Sequence, residues 1–335
     1  MKKILSIVAA AFAALSMTAS ASAGDMPPGP PPPPVAANGN AVQTFATGVP
    51  VPTQIAFGGG NTFIAGAQEG PYKGGLFVVK PGSKVATKVP GSPAAVFGVL
   101  WKRGRLYATQ GTELAVYSKW NGKRFKQKRR LVKGPKTGFS GLAMGPDGRL
   151  YTGVQLKQEF DHKANPMKYA NTVVSVKTSG KGLRVESKGL RQPWMLTFAR
   201  GEKSPIVSVL AQDLPAGTTA PDLLVRAKRG ANFGFPKCNW AVIADCGGFT
   251  KPFMILEKGE SAQSPMGLAA DGRKLFVAMF GGLPGNGPGI ATTDTSGSTP
   301  APFLSGYVAP VLSVALHNGF VYTGDLTGTI YRVKG

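Results

Sequence analysis

The chain has 335 residues, with 39 Lys+Arg against 16 Asp+Glu, a formal charge of +23. Such a length suits one large core or two modest ones, and such a charge makes anionic surfaces or polymers plausible partners. Gly 46 and Pro 28 argue against a helical bundle and for a fold of strands and turns.

In chain order, Met1-Lys2-Lys3 is a basic start, Ile4 to Leu15 is almost wholly apolar, and Ala21-Ser22-Ala23 is a small-residue cleavage site. This pattern predicts a secretory signal peptide over residues 1–23 and a secreted or periplasmic mature chain starting near Gly24. Loss of Lys2 and Lys3 still leaves a formal +21. No later apolar run is long enough to span a bilayer as a helix, so an integral membrane protein is not expected. The tract PPGPPPPP (27–34) reads as a polyproline II spacer. Residues 24–39 are therefore taken as a linker, with the folded domain over 40–335.

From there a hairpin recurs. PTQIAFGGGNTFIAG (52–66), GVLWKRGRLYATQ (98–110), GLAMGPDGRLYTG (141–153), PWMLTFARGEKSPIVSVL (193–210), PMGLAADGRKLFVAM (265–279) and PVLSVALHNGFVYTG (310–324) share one plan. Each is an apolar strand, a tight turn and a second strand rich in β-branched and aromatic residues. Turns such as Asp147-Gly148, Asp271-Gly272 and Asn318-Gly319 place glycine where positive φ is needed. Pro52, Pro193, Pro265 and Pro310 stand at strand entries, where no ladder donor is required. Further strands fall between the hairpins, giving about four antiparallel strands per repeat. The expectation is an all-β, six-bladed β-propeller. The last repeat lacks a strand, and AVQTFATGV (41–49) is the candidate to fill it and close the ring.

Cys238 and Cys246 enclose a short loop, and in an exported chain they are expected to form a disulfide. A zinc site is not expected, because neither His162 nor His317 is suitably spaced from them.

Several segments resemble the glucose/sorbosone dehydrogenase family. GLRQPWMLTFARG (189–201) is similar to that family's Gly-x-Arg-Asn-Pro-x-Gly-Leu segment, and GANFGFPKCNW (230–240) to its Gly-x-Asn-Tyr-Gly-Trp-Pro element. AQDLPAGTTAPDLL (211–224) stands where that family has an acidic loop, and GLAMGPDGRLYTG resembles the hairpin after the family's catalytic histidine. The resemblance runs from about residue 45 to the end. It implies a soluble six-bladed propeller oxidising an aldose with pyrroloquinoline quinone (PQQ) and calcium. Arg191 and Gln192 would then face the cofactor, Gln192 replacing the usual asparagine, while Asp213 and Asp222 would help seat calcium.

The same resemblance exposes a departure. A histidine should precede the Gly-Pro-Asp hairpin as the base that takes the sugar C1 hydroxyl proton, a task for a group titrating near working pH. Thr137 stands there. The lysine expected after the fifth blade's LFV strand falls at Gly281. His162, in the polar loop QLKQEFDHKANPMKY (155–169), is the candidate substitute imidazole; His317 reads as a turn residue. Arg191 reads equally as a ligand contact and as a cap on the channel. Trp194 is expected to pack between blades, and Asp147 to bond locally in its turn.

Two other classes stay open. A hydrolase propeller would hold one divalent ion through oxygen ligands such as Asn171, Asn232, Asp213 and Asp222, although their spacing singles out no site. A non-catalytic propeller would bind an anionic ligand or an envelope polymer, through its axial pocket or through SKWNGKRFKQKRRLVKGPK (118–136), which has nine Lys or Arg and no acid. Nucleic acid is not expected as the target of an exported chain.

Overall fold

A computed structural model describes residues 32–68, 73–135, 137–156, 168–211, 220–238, 240, 246–256, 263–283 and 285–335. Among these residues there is no helix, and the strands form six antiparallel sheets. Their innermost strands are Pro52–Gly58, Val96–Lys102, Phe139–Met144, Gln192–Thr197, Pro265–Asp271 and Val311–His317, opening blades 1 to 6 in turn. Each packs beside the next, and the sixth returns to the first. The molecule is a closed six-bladed β-propeller, as the hairpin repeat predicts.

Closure occurs as the sequence suggests. Gln43–Ala46 pairs antiparallel with Ile330–Lys334 as the outer strand of blade 6, so the first and last segments of the ring share one sheet. The chain also engages earlier than the composition indicates. Val35–Ala36, inside the stretch taken as linker, pairs with Leu304 and Ser305 on the rim of blade 5, and Ala36 is buried. Two residues suffice for this because the blade edge already offers unpaired backbone groups.

The core lies between blades. Phe63, Leu76, Leu106 and Ala108 fill the junction of blades 1 and 2, and Leu114, Leu142, Leu150 and Val174 that of blades 2 and 3. Near the axis, hydroxyls stitch one blade to the next blade's inner strand. Thr53 Oγ1 donates to the Phe97 carbonyl at 2.8 Å, Thr109 Oγ1 to that of Ser140 at 2.5 Å, Ser140 Oγ to that of Pro193 at 2.7 Å and Ser208 Oγ to that of Met266 at 3.0 Å. Gln54 reaches further: its Oε1 accepts from the Val99 and Leu142 amides at 3.0 Å each, joining blades 1, 2 and 3.

Inner-strand glycines permit this proximity. A Cβ on Gly267 would lie 2.6 Å from the Val314 amide nitrogen of blade 6, and one on Gly98 2.7 Å from the Leu142 amide nitrogen of blade 3. Any side chain at either place would push two blades apart.

Candidate functional site

One end of the propeller collects the entries of the inner strands, the ends of the second strands and the loops leading to the third. At blades 3 and 4 this arrangement brings together the two segments that carry the family resemblance. The Phe233 amide donates to the Lys188 carbonyl at 2.9 Å, and the Phe235 amide to that of Gly189 at 3.0 Å. Ala231–Asn232 extends blade 3 by pairing in parallel with Ser187 and Lys188. Gly189 has φ 70°, and a Cβ there would sit 2.3 Å from Asn232 Oδ1, so only glycine allows the contact.

The fused segments wall a narrow pocket open to solvent, lined by Leu190, Arg191, Ala220, Phe233, Phe235 and Trp240 among others. Trp240 Nε1 donates to the Phe233 carbonyl at 2.9 Å, fixing the indole. The Cys238–Cys246 disulfide, with Cα atoms 5.4 Å apart, ties Cys246 to a residue of the pocket wall. The pocket is apolar and aromatic with one guanidinium.

Arg191 is 5% exposed and Gln192 7%. The Arg191 Nη1 donates to the Ala211 carbonyl, while the Arg191 carbonyl accepts from Asn171 Nδ2 at 3.1 Å. The Ala211 amide in turn donates to Asp222 Oδ1 at 2.8 Å, and the Ser264 amide to Asp222 Oδ2 at 2.8 Å. Asn171, Arg191, Asp222 and Ser264 thus form one hydrogen-bonded chain from blade 3 to the entry of blade 5. Asn171 and Ser264 sit at φ 57° and 44°, a left-handed backbone that this network holds in place.

Two of the expected oxygen ligands make structural hydrogen bonds here. Both oxygens of the buried Asp222 carboxylate accept backbone amides, so it fastens two loops. Asn232 Oδ1 accepts from the Gly234 amide at 3.2 Å within its own turn. Among the described residues no group of three His, Cys, Asp or Glu lies close enough to hold a metal ion. Asp213 and His162 lie outside the described residues.

Thr137 stands at the entry of the blade 3 inner strand and is 8% exposed; its Oγ1 is buried with no hydrogen-bond partner. His317 lies at the opposite end of the propeller, where it ends an inner strand and stacks on Phe57 with ring centroids 4.2 Å apart. Trp194 is buried and meets Phe97 edge-on at 6.1 Å, the inter-blade packing expected of it. Asp147 accepts from the Arg149 amide and the Tyr151 hydroxyl, at 3.1 and 3.0 Å, confirming its local role.

The sequence reading passed over buried glutamines at this end. Gln110 and Gln155 are each 2% exposed. Gln155 Nε2 donates to the Phe139 carbonyl at 2.8 Å, and Gln110 bonds Tyr117 and Glu113. The signal was present in GRLYATQ and GRLYTGVQ: a glutamine stands at the end of the second strand in the first and one residue beyond it in the second.

No family model matches the chain, and no curated protein matches it by sequence. Solved structures do match. A PQQ-bound aldose sugar dehydrogenase from Streptomyces coelicolor aligns at TM-score 0.70 and 18% identity, over 90% of this chain and 99% of that one. The soluble aldose sugar dehydrogenase of Escherichia coli aligns at 0.65 and 13%, over 88% and 98%. The PQQ domain of a Coprinopsis cinerea pyranose dehydrogenase aligns at 0.65 and 14%, over 92% and 99%. The chain has the six-bladed fold of the soluble sugar dehydrogenases, carried by a widely divergent sequence.

Proposed function

We propose that this protein is an exported sugar-dehydrogenase-like propeller that binds a planar, carboxylate-bearing small molecule beside Arg191, with PQQ the leading candidate. The observation that carries this reading is the pocket at the fused Gly189–Arg191 and Phe233–Phe235 segments, where a buried guanidinium stands among aromatic walls. A guanidinium pairs carboxylates bidentately, and flat aromatic walls suit a flat ligand.

PQQ, a planar tricarboxylate, fits these residues in kind: Arg191 would hold a carboxylate, and Phe233, Phe235 and Trp240 would exclude water; Gln192, buried beside Arg191, is not among the lining residues. When bound, the quinone supplies a hydride acceptor for the C1 carbon of an aldose. Among the described residues only Asp222 remains of the expected calcium ligands, and each of its oxygens already accepts a backbone amide. The proton step is weak as well. A threonine hydroxyl titrates far above neutral pH and cannot accept the C1 hydroxyl proton, so binding with very slow sugar oxidation is the expected behaviour.

The test is a PQQ titration of the mature protein, with and without calcium, read by quinone absorbance and melting temperature and followed by aldoses with a dye acceptor. Saturable binding lost in Arg191→Ala supports the reading, and dye reduction gained in Thr137→His supports the missing-base account. Absence of binding in wild type overturns it.

A further inference from the structure

Blade 2 carries a concentration of charge unrelated to the axial pocket. Between residues 96 and 133 it has Lys102, Arg103, Arg105, Lys119, Lys123, Arg124, Lys126, Lys128, Arg129, Arg130 and Lys133, against Glu113 alone. Five of these fall on the outer strand Phe125–Lys133, all five exposed. At about 3.4 Å per residue this strand is roughly 30 Å long, with side chains on one face about 7 Å apart.

The hairpin that presents this row is rigid. Phe125 packs against Trp120 at 4.8 Å and Phe63 at 5.5 Å, and Trp101 stacks on Phe63 at 5.2 Å. Arg129 Nη1 donates to the Ser179 carbonyl of blade 3 at 3.3 Å, and Lys128 pairs with Glu113 at 3.0 Å. Lys123, Arg124, Lys126, Arg130 and Lys133 have no acidic partner among the described residues.

Protection of a sheet edge from self-pairing is the ordinary reason for edge lysines. It does not explain this row. The outer strands of the other blades read TK, RVESK, MIL, APFLS and QTFA, and five of the six blades manage their rims with at most two cations. The neighbouring outer strand, Thr87–Lys88, is only two residues long, which leaves the blade 1 side of the basic strand uncovered.

We infer that the outer edge of blade 2 is a docking rail for a linear anionic glycan or polyol polymer bearing a carboxylate or phosphate on each unit. Lys126, Lys128 and Arg130 project to one side of the strand and Arg129 to the other, so a flat lipid surface meets only one set while a polymer chain wraps both. The hairpin's aromatic rings are packed against one another and offer no platform for base stacking, which nucleic acid would exploit. The rail lies on the rim, away from the pocket at Arg191, and works whether or not that pocket binds a cofactor.

The test uses the mature protein on immobilised polygalacturonate and on polyglycerol phosphate, two arms that separate carboxylate from phosphate recognition, across a salt series. The variant is Lys123→Gln/Lys126→Gln/Arg130→Gln. The control, Lys228→Gln/Arg229→Gln/Lys251→Gln, removes the same charge from exposed positions elsewhere. Rail binding predicts at least a tenfold loss of affinity in the first variant only, with the log–log salt slope shallower by about 2 to 3. Retention of either polymer with that pattern supports the proposal. Equal losses in variant and control, no retention of wild type, or tighter binding to duplex DNA or phosphatidylserine vesicles overturns it. Unchanged melting of both variants and unchanged PQQ titration keep this result separate from the fate of the axial site.

Discussion

Asp222→Ala isolates the question of whether this carboxylate fastens the protein or holds a metal. In the structure its two oxygens accept the Ala211 and Ser264 amides at 2.8 Å each, and the side chain is 2% exposed. Removal leaves two buried N–H groups without their acceptors, at about 1–3 kcal/mol each, hence a loss on the order of 4 kcal/mol. Asp222→Asn keeps one acceptor and turns an NH₂ toward the second amide, so about half that loss is expected. Against a typical total of about 5–15 kcal/mol, both variants still fold. Urea unfolding at pH 7 reads the midpoints, once in EDTA and once in millimolar calcium. A fastening carboxylate gives the same loss in both buffers. A calcium ligand instead gives wild type a metal-dependent gain that the variants lack. The reasoning is refuted if Asp222→Ala unfolds within about 0.5 kcal/mol of wild type in EDTA, or if calcium stabilises only the wild type.

Deleting residues 41–49 removes the outer strand of blade 6 and the fully buried Ala46 and Val49. Val49 alone contributes about 1.5–3 kcal/mol, so the whole domain should melt markedly lower; a soluble deletion protein with unchanged melting would count against ring closure. Gly267→Ala forces a methyl toward the Ser313–Val314 backbone and should cost about 1–3 kcal/mol by overpacking, read from the urea midpoint. Asp325 is fully buried at a turn of blade 6, with Oδ1 accepting from Thr327 and Oδ2 unpartnered. Burial is the main reason its carboxyl titrates above the ordinary 3.8. Because the folded state favours the protonated form, the penalty is absent below the ordinary carboxyl range and grows as pH rises through it to the raised folded value. Asp325→Asn should therefore melt higher relative to wild type as pH increases from about 4 to 7; a difference that stays flat across that range would contradict the assignment.

How much of this could be read without coordinates differs by element. The hairpins were legible because apolar alternation, paired with glycine at positive-φ turns, is a local property of the chain. Gly148 and Gly319 have φ 74° and 75°, as their turns require. The disulfide and the closing strand were also legible, the first from its short loop and the second from a strand missing at one end and spare at the other. Val35–Ala36 was not, because a two-residue edge strand follows from an unpaired rim at Leu304 and Ser305, far along the chain, not from its own composition.

The sequence by itself determined the kinds of group available: Arg191 beside Gln192, a threonine at 137, and an outer strand crowded with cations. Residue identity settles which protonation chemistry is possible, and no packing gives a threonine the basicity of an imidazole. Only the tertiary structure decided what each group does. Asp222 reads in sequence as an oxygen ligand in an acidic loop, and in the fold its carboxylate also accepts amides from two loops that folding brings to it. Likewise Gly189 and Asn232 lie 43 positions apart in the chain but are in contact, so the pocket at Arg191 exists only once blade 3 closes on blade 4. Hydrogen-bond partners and burial depend on distances between remote segments, and those are set by the ring.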